Sequence, residues 1–207
     1  IVLGLAFFTV LLARGATFTR YFGEYLALIL LATIGLMTMS GTEQLLVIFI
    51  GLELTGLSLY ILAGFDKTDE RSAEASLKYF LFGGVASAFT LFGLSLIYGM
   101  TGSTHLAAIS DALGNGGIQP LLAAGIVMTL IGFSFKIAAA PFHLWAPDAY
   151  EAAPISSSAF IASASKVASF FVLARILLTG FGPAAGSAGF HGLVAGWAPL
   201  VAGLAAL

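Results

Sequence analysis

The 207-residue chain contains no cysteine, which excludes disulfides, thiolate metal sites and cysteine-ligated iron–sulfur clusters within it. Charge is also scarce. Asp, Glu, Lys and Arg make up 9% of the residues, where a soluble domain carries about 25%. The few Lys and Arg residues form no block and the formal net charge is −2, so nothing points to nucleic acid. The sequence has no Gly-x-Ser-x-Gly elbow, phosphate-binding loop, dinucleotide-binding fingerprint or haem-type histidine pair. Its three histidines share no metal-ligand spacing. What it does have is apolar length: 59% is hydrophobic and the mean hydropathy is +1.04. The apolar runs are continuous and about twice the ten-residue alternating segments of a membrane β-barrel. The fold class is therefore an all-α polytopic membrane protein, partnered by the lipid bilayer.

A spanning helix needs about 20 mainly apolar residues. Run one, Ile1–Ala13, is partial and leads into the loop Arg14–Phe22. Run two is Glu24–Met39, closed by Ser40 and Gly41, and run three is Glu43–Phe65. A polar loop, Asp66–Ala73, precedes run four, Glu74–Met100. The link Thr101–Gln119 follows, and its middle, His105–Leu113, reads as a short interfacial helix. Run five starts at Pro120, a good first helical residue, and reaches about Ala140; run six spans about Ser156–Thr179. A glycine-rich link, Gly180–Gly192, leads to an incomplete seventh run ending at Leu207. The chain begins and ends inside apolar runs, so residues 1–207 are expected to be one transmembrane domain from a longer protein. Ile1–Ala13 lacks the basic leader and cleavage-like end of a signal peptide.

Arg14 and Arg20 lie in the link after run one, and Lys67 and Arg71 in the link after run three. The links Ser40–Thr42 and Thr101–Gln119 carry no Lys or Arg. Alternating spans put both basic links on one face, which the positive-inside rule assigns to the cytoplasm.

Several charged groups fall inside or at the edges of the runs. Glu53 lies near the middle of run three, where a charge costs about 2.5–3.5 kcal/mol to insert and needs a partner or a function. It is either a structural ion pair or a working group. Glu74 and Lys78 stand four residues apart on one helix face at the start of run four, in the order that suits an ion pair; alone, they could simply mark the membrane boundary. Lys136 precedes Pro141 by five residues in FSFKIAAAPFHLWAPDAYEAAP (Phe133–Pro154). Proline crowds the carbonyl four residues back, that of Ile137, so the helix should break beside this lysine, as membrane helices do where they line a cavity or pack in protein. Burial without a counter-charge shifts a lysine toward its neutral form, which suits proton exchange; the alternative is a lysine snorkelling to the interface. Lys166 sits midway in run six among Ser163, Ala164, Ser165, Ala168 and Ser169, either structural or working.

His143, past Pro141, either relays protons or is held structurally; Trp145 and Tyr150 nearby suit the membrane interface. Arg175, at the end of run six, is expected to snorkel. His105 and His191 lie in links. These groups suit ion movement and offer nothing for covalent or redox chemistry.

GLELTGLSLY (51–60), SAEASLKYFLFGGVASAF (72–89) with LIYGMTGS (96–103), FKIAAAPFHLWAPDAYEAAP and ASASKVASFFVLAR (162–175) form an ordered motif series over about Gly23–Arg175. It resembles the subunit N family of the proton-pumping NADH:quinone oxidoreductase, respiratory complex I. The Pro–His–Trp–Pro–Asp core is shared with the wider antiporter-like superfamily, including the Mrp cation/proton antiporters, which supply the alternative reading. The chain departs from the family at Ala152, where Gly is common, and at Ile155-Ser156-Ser157, where Thr-Pro-Val is common.

The resemblance implies about fourteen helices with two inverted five-helix repeats and broken helices, residues 24–179 here being the first repeat. A single repeat would show no internal repetition. It further implies proton-translocation roles for Glu53, the Glu74–Lys78 pair, Lys136 in the first broken helix, Lys166 as the next station, and His143 in the loop. Lys78 would compete with Lys136 for Glu53. The chain itself would hold no cofactor; FMN, iron–sulfur clusters and quinone would belong to partner subunits. Its partners would be the other membrane subunits and, through them, the peripheral NADH-oxidising arm, in a bacterial plasma membrane.

Overall fold

A computed structural model describes residues 1–15, 18–116, 119–189, 192 and 194–207 of the chain; His191 lies outside them. The helices are α1 (Val2–Ala13), α2 (Phe22–Ser40), α3 (Leu45–Ala63), α4 (Glu70–Thr101), α5 (Leu106–Gly116), α6 (Pro120–Ile137), α7 (Ala146–Ala152), α8 (Ile155–Ala162), α9 (Ala164–Arg175) and α10 (Trp197–Ala205). A π-helical turn, Ile176–Gly180, continues α9. Among the described residues, five segments are long and apolar enough to cross a membrane: α2, α3, α4, α6 and Ile155–Gly180. They coincide with runs two to six, and the chain is a multi-pass integral membrane protein.

Helix α4 starts earlier than the hydropathy pattern suggests. Asp69 accepts a hydrogen bond from the Arg71 amide at 2.9 Å, an N-cap that draws the polar residues from Glu70 onward into the helix. Glu74 and Lys78 therefore sit one and two turns inside it. At the other end Gly102, at φ 69°, closes α4 in the left-handed region that glycine tolerates.

Small residues bring two helix pairs close together. Gly35 of α2 meets Gly51 and Thr55 of α3, and Gly93 of α4 meets Gly125 and Thr129 of α6. The threonines add no unpaired polar group to these contacts. Thr55 donates to the Gly51 carbonyl at 2.8 Å and Thr129 to the Gly125 carbonyl at 2.9 Å, so apolar helix surface and backbone pack without polar cost.

The links alternate between faces as expected. On one face the α2–α3 link pairs with the α4–α5 link: Leu45 N–H donates to the Thr104 carbonyl at 2.8 Å, and Leu106 N–H to that of Glu43 at 3.0 Å. Arg175 does not snorkel. Its guanidinium donates to the Ser40 and Thr42 carbonyls at 2.8 and 3.0 Å, clamping the end of α9 to the exposed carbonyl end of α2. On the opposite face, Arg14, Asp66, Asp69 and Glu151 line one cavity of about 490 Å3. This gathers both basic links and the α7–α8 link. Asp66 here accepts from the Thr68 hydroxyl and amide, which hold its carboxyl below the ordinary value.

Ser156 and Ser157 receive a specific use. The buried Tyr25 hydroxyl hydrogen-bonds both, at 2.7 and 2.9 Å, and ties α2 to the start of α8. Tyr25→Phe is expected to cost about 1 kcal/mol, measured by denaturant titration of the purified full-length protein; an unchanged unfolding midpoint would contradict this.

Candidate functional site

The break predicted beside Lys136 is present, and it comes earlier than about Ala140. α6 ends at Ile137, and Ala138 stands at φ 57°. Ala138 N–H donates to Phe135 and Ala139 N–H to Ser134, at 3.0 and 2.9 Å. This is the helix-ending pattern that glycine usually completes. An alanine in the left-handed region is strained, and such strain persists only where surrounding contacts over-determine it.

Two side chains supply those contacts. The Trp145 indole N–H donates to the Phe135 carbonyl at 3.2 Å. The Lys166 ammonium donates to the Lys136 carbonyl at 2.6 Å. The broken end of α6 is thus capped by a cation, as the negative end of a helix dipole favours. Lys166 also stands 4.5 Å from the centre of the Trp145 ring, a cation–π contact. Its approach uses a bend at Ser163 between α8 and α9, where the Ser163 hydroxyl donates to the Ala159 carbonyl at 2.6 Å; such back-bonding bends helices.

Trp145 is not an interfacial tryptophan. It is 1% exposed and lies parallel to Tyr79, with ring centres 4.1 Å apart. Tyr79 in turn meets Tyr60 edge to face at 4.6 Å. This aromatic column joins α3, α4 and the break. Tyr150, half-buried on α7 beside Trp145, has its phenol pushed up by burial.

Lys136 is 5% exposed, so it does not snorkel. Its ammonium lies against α3, where a Cβ added at Gly56 would stand 2.7 Å from Nζ. Its hydrogen-bond acceptor is the Tyr60 hydroxyl at 3.4 Å, with the Tyr60 and Phe135 rings 5.4 and 5.9 Å away. Among the described residues no carboxylate lies within ion-pair distance of it.

Glu53 is half-buried in α3, and its carboxylate accepts from the Ser87 hydroxyl of α4 at 2.5 Å. Lys78 does not contact Glu53 in this structure. Lys78 is held at 2.7 Å by Glu74 and at 2.9 Å by Asp148 of α7, because α4 presents it toward the link after the break. Arg71, Glu74, Lys78, Asp148 and Glu151 line a charged cavity of about 290 Å3 on the face with the basic links. His143 and Pro141 are exposed, and among the described residues the His143 ring has no hydrogen-bond partner.

The site thus brings Lys136 and Lys166 together, sets Glu53 on the helix that Lys136 touches, and places the Glu74–Lys78 pair in the vestibule. It leaves His143 apart. Sequence reasoning missed Tyr60, Ser87 and the pairing role of Asp148. Tyr60 was detectable as the residue two turns from Glu53 on one helix face. Ser87 lies one turn past Gly83, on a face of small residues that signals close packing. Among the described residues no three His, Asp or Glu side chains converge as metal ligands.

Residues 42–207 match the family model described as NADH:quinone oxidoreductase/Mrp antiporter, transmembrane. The chain is 51% identical over 194 residues to NADH-quinone oxidoreductase subunit N 2 of Acidobacterium capsulatum, covering 93% of this chain and 38% of that protein. It therefore spans about two fifths of that relative's length. It also resembles a chain of respiratory complex I from Thermus thermophilus with bound aureothin. There the identity is 38% and the TM-score 0.70, over 83% of this chain and 38% of that one. A chain of the membrane-bound sulfane sulfur reductase, an archaeal respiratory membrane complex, matches 99% of this chain and 39% of its own length. The identity there is 29% and the TM-score 0.82.

Proposed function

The chain belongs to the NADH:quinone oxidoreductase/Mrp antiporter membrane family, and we propose that it is the first-repeat portion, residues 24–179 with flanking helices, of a proton-translocating subunit N. The observation that carries this reading is the pair of lysines at one broken helix end. Lys136 is buried without a counter-ion among the described residues, and Lys166 holds the Lys136 carbonyl at 2.6 Å. A cation with no structural partner is costly in a membrane, and function is the ordinary reason for one.

In this mechanism, protons enter from the cytoplasmic face through the vestibule of Arg71, Glu74, Lys78, Asp148 and Glu151. Lys136 takes up the proton behind the aromatic column. A Glu53 carboxylate turned toward Lys136 favours the charged ammonium; turned away, it favours release. Lys166 is the next station. Two ammonium groups at one helix end repel, and handing a proton onward relieves that repulsion. His143, exposed at the break, is a candidate for proton exchange with solvent. The energy comes from electron transfer between NADH and quinone in partner subunits, which supply the FMN and iron–sulfur clusters; this chain has no thiolate for them. Its partners are the other membrane subunits and the peripheral arm, in a bacterial plasma membrane.

Glu53→Gln keeps the side-chain shape and removes the charge. In the assembled complex it is expected to lower NADH-driven proton pumping in inverted vesicles about tenfold, as loss of one charge interaction of about 1.4 kcal/mol in the rate-limiting step would do. Pumping at the unmodified rate would refute the reading. Sodium-dependent transport without NADH oxidation would turn it toward an Mrp-type antiporter.

A further inference from the structure

Along one face of α3 lie Glu53, Gly56 and Tyr60, spaced three and four residues apart, a helical stripe. The Lys136 ammonium sits over the middle of this stripe, at Gly56. It has the carboxylate of Glu53 one turn to one side and the Tyr60 hydroxyl one turn to the other. In this structure each charged group is bonded to a hydroxyl instead of to the other. Lys136 donates to Tyr60, and Glu53 accepts from Ser87.

We propose that Tyr60 and Ser87 are positioning residues that hold the Glu53–Lys136 pair in its separated state, giving each charge a neutral hydroxyl partner while the other is disengaged. This rests on the reading of Lys136 as a proton carrier and adds to it the groups that define one of the two positions.

Three features support the assignment. First, the space between the two positions is kept open by the absence of a side chain: a Cβ at Gly56 would stand 2.7 Å from Lys136 Nζ and 3.1 Å from the Tyr60 hydroxyl. Second, Tyr60 is built into place. It is 5% exposed, and its hydroxyl end fills the notch left by Gly83 of α4, where any Cβ would strike the ring. Tyr79 and Phe80 pack edge-on against it at 4.6 and 6.0 Å. Third, the two bonds differ in a way that suits their tasks. The Ser87–Glu53 bond is short, as a hydroxyl–carboxylate bond should be, and fixes the carboxylate. The 3.4 Å Lys136–Tyr60 contact is long, so it orients the ammonium without trapping it. Gly83 and Ser87 lie one turn apart on α4, so that helix sets both hydroxyl partners from one face.

The test uses the full-length subunit in the assembled respiratory complex, in inverted vesicles energised with NADH. Tyr60→Phe keeps the ring and removes the acceptor; Ser87→Ala removes the donor. Each is expected to lower proton pumping about fivefold at unchanged amounts of assembled complex, and to displace the pH profile of pumping. Ser87→Thr, which retains the hydroxyl, should restore both. Unmodified rates and pH profiles in both variants would overturn the proposal. So would losses that only track lost assembly, or a Ser87→Thr variant no better than Ser87→Ala. Lys136→Ala, measured alongside, separates the two levels. If it silences pumping while Tyr60→Phe and Ser87→Ala leave it intact, only this inference falls. If it pumps normally, the reading of Lys136 falls and this inference with it.

Discussion

Lys136→Ala is expected to reduce proton translocation at least ~100-fold, equivalent to about 2.7 kcal/mol in the rate-limiting step, without loss of the assembled protein. The second half of that expectation follows from the burial. Lys136 is 5% exposed, its acceptor is a hydroxyl at 3.4 Å, and no carboxylate among the described residues lies within ion-pair reach. An ammonium held that way costs the fold free energy, because its desolvation is not offset by a close counter-charge. Removing it should leave thermal stability unchanged or raise it, whereas breaking a structural ion pair would lower it by about 3–5 kcal/mol. Lys136→Arg supplies the chemical control. A guanidinium keeps the charge but does not release its proton in a protein, so a carrier site should fail with arginine as it fails with alanine. Dye-quenching of acidification, normalised to assembled complex, and the Tm of the purified subunit measure the two halves separately. Pumping near the unmodified rate in either variant would refute the carrier role, and a fall in Tm with alanine would reassign Lys136 to structure.

The sequence makes the spans legible because hydropathy is a sum over many residues, and five long runs survive small errors at their ends. The boundaries differ where a single polar contact decides them. Asp69 caps α4 and moves its start to Glu70, and the left-handed turn at Ala138 ends α6 before Pro141 would force it to. The lysines were legible for a similar reason: a charge in an apolar run is conspicuous whatever it touches. Their partners were legible only as neighbours on a helix face, not as members of a site. Tyr60, Ser87 and Asp148 are ordinary residues in their local sequence, and they become part of the site only when α3, α4 and α7 converge. Arg175 illustrates the same limit. Its position suggests an interface, yet the carbonyls it satisfies at Ser40 and Thr42 lie more than 130 residues away in sequence. Pairings across that separation depend on helix packing, which periodicity does not encode.

That packing yields the second large expected effect. Gly35→Val should prevent stable accumulation of the full-length protein, costing about 3 kcal/mol or more. A Cβ at Gly35 would stand 2.7 Å from the Gly51 carbonyl oxygen and 2.8 Å from the Thr55 amide nitrogen. Both are backbone atoms of α3, so neither can turn aside; the helices themselves must part, and with them the contacts that seat Glu53 and Tyr60. The obstruction also includes the Thr55 side chain, which allows a sharper test. Trimming it with Thr55→Ala should not rescue Gly35→Val, because the backbone atoms remain. Gly83 offers the contrast. The three atoms nearest to a Cβ there all belong to the Tyr60 side chain, so the damage done by Gly83→Ala should be relieved by Tyr60→Ala. Membrane abundance and unfolding midpoints of the four variants, two single and two double, decide the matter. Rescue at Gly83 without rescue at Gly35 is the expected pattern. Rescue of both would mean that side chains, and not the approach of two backbones, set the distance between α2 and α3.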